Sequence, residues 1–179
     1  KPLALFNPFN AVLGVHGIAK KGMKEEGDGM TPSGVFSIGE VFGYSPIFEL
    51  NYLKLKMDYR YIANTKDKNN KFIDKFINDS SSPAYNSWVV GSSVGSDVNN
   101  ASGFEEMRNS KTLYELGIII NYNMNPTIPN KGSAIFIHKW RSANKYTDGC
   151  VAIDKPHLIE LIKWLDKAMQ PKIVILVPE

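Results

Sequence analysis

Ala134-Ile135-Phe136-Ile137-His138 and, beyond the connection 139–149, Cys150-Val151-Ala152-Ile153 are the part of this sequence that decides its fold. Both runs are apolar and β-branched, both are bounded by polar turn formers, and both are too short for a helix. They read as buried strands. Residues 117–122 form a third such run, and residues 125–132, with two prolines and a glycine, supply a hairpin loop before Ala134. Downstream, Asp154 with Pro156 behind it is an N-cap followed by a first-turn proline. Leu158, Leu161, Ile162, Leu165 and Met169 then recur at helical spacing, and Pro171 ends that stripe. Residues 173–177 close the pattern as a strand.

Toward the N-terminus, residues 11–15 and 35–38 alternate as short strands around the polar loop 20–32. Residues 49–110 are the least periodic part, rich in Asn, Ser, Lys and aromatics, and are expected to lie over one face of the core as an inserted, covering region. They hold two long loops, 79–85 and 91–100. Ser102-Gly103-Phe104-Glu105 reads as a capping box opening a short helix toward Arg108, and residues 113–116 as a further turn. The expectation is a mainly β, mixed-sheet or sandwich domain over residues 1–179, with one helix in its C-terminal half.

With 179 residues, 43% hydrophobic and 22% charged, the chain suits one globular domain, whose core closes without disulfide or metal. A single cysteine rules out an intramolecular disulfide, and three scattered histidines with it are too few for a structural zinc site. No apolar run approaches the roughly 20 residues of a membrane-spanning helix. The net charge of +3 is spread along the chain, with no block resembling a nucleic-acid-binding arm. Glu26-Gly27-Asp28-Gly29-Met30-Thr31-Pro32 is a tight turn; it lacks the Gly-Lys-Ser/Thr ending of a phosphate loop and is acidic where phosphate would approach.

Chemistry gathers at Cys150 and His138. If their strands are neighbours, the connection 139–149 folds back and brings the imidazole beside the thiol, which is what a cysteine nucleophile needs. Gly149 frees the backbone in front of Cys150 to aim amide groups at a developing oxyanion. Spacing alone leaves two readings: a nucleophile–base pair, or a small buried hydrophobe near a hydrogen-bonded histidine.

The residues resemble a known family at this point. Ile135-Phe136-Ile137-His138 followed by Thr147-Asp148-Gly149-Cys150-Val151-Ala152 is similar to the signature of YkuD-like L,D-transpeptidases, a histidine followed at variable distance by Ser/Thr-x-Gly-Cys. Glu26-Gly27-Asp28-Gly29 with Thr31-Pro32-Ser33-Gly34-Val35-Phe36 is similar to the family's early loop and strand. His138-Lys139-Trp140-Arg141, Ser82-Pro83-Ala84-Tyr85-Asn86, Glu106-Met107-Arg108 and Leu113-Tyr114-Glu115-Leu116-Gly117 resemble a branch of it with a long inserted middle region. Two positions depart from many relatives: Asp148 stands where they carry histidine, and Lys139 where they carry glycine.

The resemblance implies the catalytic-domain fold of that family and chemistry on peptidoglycan stem peptides. Cys150 would attack a stem tetrapeptide, release terminal D-alanine and pass the acyl group to an amine. His138 would serve as base and then acid, its ring oriented by a backbone carbonyl. Gly149 and Cys150 would lend oxyanion amides, and Thr147 would brace the turn. Arg141 would grip a stem carboxylate, with Trp140, Asp148, Tyr85 and Asn86 as further substrate-side residues. No metal, organic cofactor or nucleic acid is implied. An exported enzyme, periplasmic or otherwise wall-associated with its leader removed, and open to acylation by carbapenems, is implied. Hydrolysis through the same acyl-enzyme is the alternative activity, and a non-catalytic wall-binding module the alternative class.

Overall fold

A computed structural model of the chain describes residues 7–91, 103–109 and 112–178, the Phe48 side chain excepted. Its elements run β1 (Ile18–Ala19), β2 (Thr31–Pro32), β3 (Gly34–Gly43), a 3-10 segment (Ile47–Leu53), β4 (Tyr59–Tyr61), β5 (Asp74–Ile77), β6 (Trp88–Val90) and β7 (Phe104–Glu106). Then follow β8 (Leu116–Ile120), β9 (Phe136–Lys139), β10 (Val151–Ile153), α1 (Lys155–Trp164), a 3-10 turn (Lys167–Met169) and β11 (Lys172–Ile175). The chain is mainly β, with α1 as the α-helix among the described residues.

The principal sheet has the order β10-β9-β8-β3-β11, with β4 added beside β3. β8 and β9 pair antiparallel, Gly117 opposite His138, so residues 125–132 lie in the connection of a hairpin as expected. β9 and β10 pair parallel, with Ala152 opposite His138 and Val151 opposite Ile137. That pair makes the two strands neighbours, and its parallel sense, which the sequence pattern left open, forces the 139–149 connection to cross back over the strand ends. Val12 and Gly14 add isolated bridges to Ala152 and Thr147 where a continuous strand over 11–15 was expected.

One core cluster lies between the sheet and α1, with Val41, Ile118, Ile137, Leu158 and Ile162 buried. Asp154 caps the helix, its carboxylate accepting from His157 N–H at 3.0 Å, an arrangement worth about 1 kcal/mol. A second cluster lies between the principal sheet and a three-stranded sheet, β6-β5-β7. There Phe136 meets Phe42, Phe76 and Tyr114 edge to face, at centroid separations of 5.3, 5.1 and 5.6 Å. Cys150 belongs to this second cluster.

Two expectations are corrected. Phe104–Glu106 is a strand, not the first turn of a helix: β7 pairs antiparallel with β5, Glu105 opposite Phe76, and Lys75 Nζ sits 4.3 Å over the Phe104 ring. A capping box is a local preference, and here a neighbouring strand offered the same backbone groups a full ladder. The apolar stripe of α1 also ends earlier than its spacing suggests. The helix stops at Trp164, Leu165 turns extended, and Asp166 caps a separate 3-10 turn by accepting from Ala168 N–H. Met169 is consequently 78% exposed and no part of the stripe. Of the two long loops, residues 92–100 lie outside the described residues.

Candidate active site

Strand periodicity and the parallel register together place the two reactive groups. His138 lies opposite Ala152, so Cys150, two residues earlier on the same face, sits one step along from the imidazole. Both side chains line one cavity of about 260 Å3. Besides His138, Cys150 and Ala152, its walls come from five parts of the chain: Glu26 and Gly27 of the early loop, Asn78 and Glu105 of the β5–β7 region, Asn109 with Leu113 and Tyr114 before β8, Ser133 to Ile135 before β9, and Arg141 with Lys145 to Asp148 of the crossover.

The thiol is held by backbone. Sγ donates to Ala134 O at 3.3 Å and accepts from Phe136 N–H at 3.4 Å, and the imidazole is not among its hydrogen-bond partners within the described residues. Burial pushes the Cys150 thiol up to about 12; the Phe136 N–H opposes this, while the carboxylates of Glu105 and Asp148 add to it. His138 Nδ1 lies 2.8 Å from Lys139 O, which fixes the tautomer with hydrogen on Nδ1 and leaves Nε2 to accept. Burial holds the imidazole below its usual range, the Lys139 carbonyl opposes that shift, and the positive charge of Arg141 reinforces it. The resting pair is therefore a neutral thiol and a neutral imidazole.

The turn before Cys150 is built by hydroxyls. Thr147 Oγ1 donates to Cys150 O at 2.7 Å and accepts from Gly149 N–H at 3.2 Å. Thr31 Oγ1, fully buried, lies 3.4 Å from the same carbonyl and accepts from Gly14 N–H at 2.8 Å. Thr147 thus braces the turn. Gly149, expected at an oxyanion, spends its N–H inside the turn instead. It also has φ of +139°, and a Cβ on it would lie 2.9 Å from Met30 O. Gly149→Ala should therefore cost about 1–3 kcal/mol in backbone strain alone. Urea unfolding should show that loss, with turnover falling as the turn that aims Cys150 is displaced.

Arg141 and Asp148 are exposed and line the cavity, at its rim. Trp140, Tyr85 and Asn86 do not line it. Tyr85 donates its hydroxyl to Glu26 Oε2, which also accepts from Ser133 Oγ at 2.7 Å, so it acts on the cavity through a wall carboxylate. Asn86 is buried and makes backbone contacts only.

Sequence reasoning missed Tyr114 and Glu105. The Tyr114 ring stands edge-on to His138, with centroids 5.5 Å apart and planes at 89°, and its hydroxyl bonds Glu105 Oε2 at 3.2 Å. Glu105 lies within β7 and Tyr114 just before β8, but only the packing of two sheets turns them toward the cavity. Among the described residues no three His, Cys, Asp or Glu side chains gather to hold a metal, and no helix is long and apolar enough to cross a membrane.

The family model of the L,D-transpeptidase catalytic domain, YkuD, matches residues 6–175, nearly the whole chain. The chain belongs to that family. No curated protein and no solved structure matches it. An L,D-transpeptidase domain works on peptidoglycan peptides through a cysteine. In this YkuD domain the single cysteine is Cys150.

Proposed function

We propose that this chain is a peptidoglycan L,D-transpeptidase with Cys150 as nucleophile and His138 as general base. The observation carrying the reading is the parallel β9–β10 register, which puts thiol and imidazole on one face and opens both to one polar cavity. Cys150 Sγ attacks the carbonyl of the third residue of a stem tetrapeptide while His138 Nε2 takes the thiol proton. The tetrahedral intermediate collapses, His138 returns the proton to the departing amine, and terminal D-alanine leaves. An amine of a second stem then attacks the thioester and gives its proton to His138, which passes it to the departing Sγ, restoring the neutral thiol and imidazole. The Cys150 amide, at the head of β10, is the oxyanion donor in this scheme, and one such donor supplies about 3 kcal/mol.

The neutral resting pair suits this order of events. A thiol kept protonated until substrate displaces water is protected from adventitious oxidation and alkylation. The region 49–110 acts in this reading as the inserted cover of a single domain, since Asn78 and Glu105 come from it to the cavity wall. The site of action is the cell wall, outside the cytoplasm.

Purified protein incubated with disaccharide-tetrapeptide, its products weighed by mass spectrometry, tests the proposal. Cross-linked dimers with released D-alanine are expected. Tripeptide alone would make the enzyme a hydrolase by the same acyl-enzyme, and no turnover would leave a wall-binding module.

Arg141 tests the substrate side. It lies at the rim, three residues past the base, and a guanidinium can hold a stem carboxylate in two parallel bonds. Arg141→Lys keeps the charge and loses that geometry, so kcat/KM should fall about 10- to 150-fold, the worth of a charge-assisted contact of about 1.5–3 kcal/mol. The loss should shrink on a stem whose carboxylate is amidated. Equal kinetics for both enzymes on both stems would remove Arg141 from the site.

A further inference from the structure

Asn86 lies outside the cavity, yet every polar atom of its side chain is committed to the backbone beneath it. It is 3% exposed, with φ of 58°. Nδ2 donates to Tyr122 O at 2.9 Å and Asn123 O at 2.7 Å, while Oδ1 accepts from Ala134 N–H at 3.1 Å. The orientation of the amide is unambiguous, because the flipped form would set its oxygen against two carbonyls. The side chain therefore ties the end of β8 to the residue that opens the run into β9.

That residue is itself unusual. Ala134 has φ of 54°, a left-handed conformation that alanine holds only when its surroundings enforce it. Its carbonyl is the acceptor of the Cys150 thiol. Two backbone groups thus aim Sγ. Phe136 N–H is fixed by the strand and by the packed Phe136 ring. Ala134 O is fixed only as long as Ala134 stays left-handed. No other side chain of the described residues is hydrogen-bonded to the Ala134 N–H.

We propose that Asn86 is a positioning residue for the nucleophile: its carboxamide clamps Ala134 in the left-handed conformation from which the Ala134 carbonyl sets the direction of the Cys150 thiol. The proposal rests on the reading of Cys150 as nucleophile. Without the clamp Ala134 relaxes, its carbonyl turns away, and two things follow. Sγ loses its aim at the substrate carbonyl. The S–H also loses its acceptor, so the neutral form is less favoured and the thiol ionises at lower pH. The charged and titratable groups around the thiol are Glu26, Glu105, Tyr114, His138, Arg141, Lys145, Tyr146, Asp148 and Lys24, and the change replaces none of them.

Asn86→Gly is the test variant, because glycine keeps the positive φ at position 86 and removes the carboxamide together with its methylene. The rate of Cys150 alkylation by iodoacetamide is followed by intact mass from about pH 6 to pH 10 on the full chain, alongside turnover of tetrapeptide. The profile should move toward acid by about one pH unit, making alkylation near pH 8 roughly tenfold faster, while turnover falls at least about tenfold. Ala134→Val, with a β-branched residue at a left-handed position, should move the profile the same way with Asn86 in place.

A folded Asn86→Gly protein with the wild-type alkylation profile overturns the proposal. So does a loss of turnover accompanied by a lower melting temperature and an unmoved profile, which would make Asn86 a residue of the fold alone. If Asn86→Gly does not fold, the Ala134→Val profile decides, and an unmoved one overturns the clamp; failure of both to fold overturns it too. A wild-type protein that never turns over tetrapeptide defeats the functional reading instead, and the alkylation profiles still report on the clamp.

Discussion

Cys150→Ala should abolish release of D-alanine from tetrapeptide and leave a folded protein. Alanine keeps the backbone and Cβ, and the turn is held by the Cys150 carbonyl, which Thr147 and Thr31 continue to bind. What the variant loses is Sγ, together with its contacts to Ala134 O and Phe136 N–H. One or two weakened buried bonds cost about 1–3 kcal/mol, and for a domain of this size each kcal/mol shifts the melting temperature by about 2–4 °C. A modest drop in melting temperature with complete loss of turnover is therefore the expected pair of results.

The same substitution controls a second measurement. In the proposed mechanism a carbapenem is attacked as the stem carbonyl is, so the wild-type intact mass should rise by one drug equivalent and the Cys150→Ala mass should not. Cys150→Ser completes the set, since a hydroxyl refills the position without a comparably reactive nucleophile and should be equally silent. Near-wild-type turnover in the alanine variant would remove the cysteine from the chemistry.

The parts of this molecule legible in its sequence are those where local chemistry and tertiary structure agree. The runs at 134–138 and 151–153 read as apolar strands flanked by turn formers, and they form the adjacent strands Phe136–Lys139 and Val151–Ile153. Asp154 and Pro156 mark a helix start, and the helix begins there. From those elements the placing of His138 and Cys150 on one cavity follows once the strands are neighbours.

Legibility fails where a distant partner decides. The capping-box residues at Phe104 and Glu105 had no way to announce that β5 would pair with them. Asn86 looked like a substrate-side polar residue because its sequence neighbours resemble the family. Its actual partners, at positions 122, 123 and 134, are far along the chain. Tyr114 and Glu105 were hidden for the same reason: nothing in a sequence tells which ring will stand against which imidazole when two sheets close.

His138→Gln carries the other large effect, and it separates base catalysis from simple proximity. Glutamine retains a polar side chain in the same buried place but cannot take a proton, so kcat/KM near neutral pH should fall by about 10^2- to 10^4-fold, the range of a general base. The pH dependence is the sharper readout. Burial and the Arg141 charge hold the wild-type imidazole below its usual value of 6.5, so the acid limb of kcat/KM should lie below pH 6.5 and activity should be nearly flat through neutrality. The glutamine variant has no such limb. Its residual rate should climb about tenfold per pH unit, because only the rare thiolate of a group pushed up to about 12 can then react. Stability follows the same sign: a depressed folded-state value means that this histidine favours the fold fully above about pH 6.5 and progressively less as the pH falls through its folded-state value, a dependence the variant loses. An acid limb displaced above pH 7, or the same limb in both proteins, would take His138 out of the role of base.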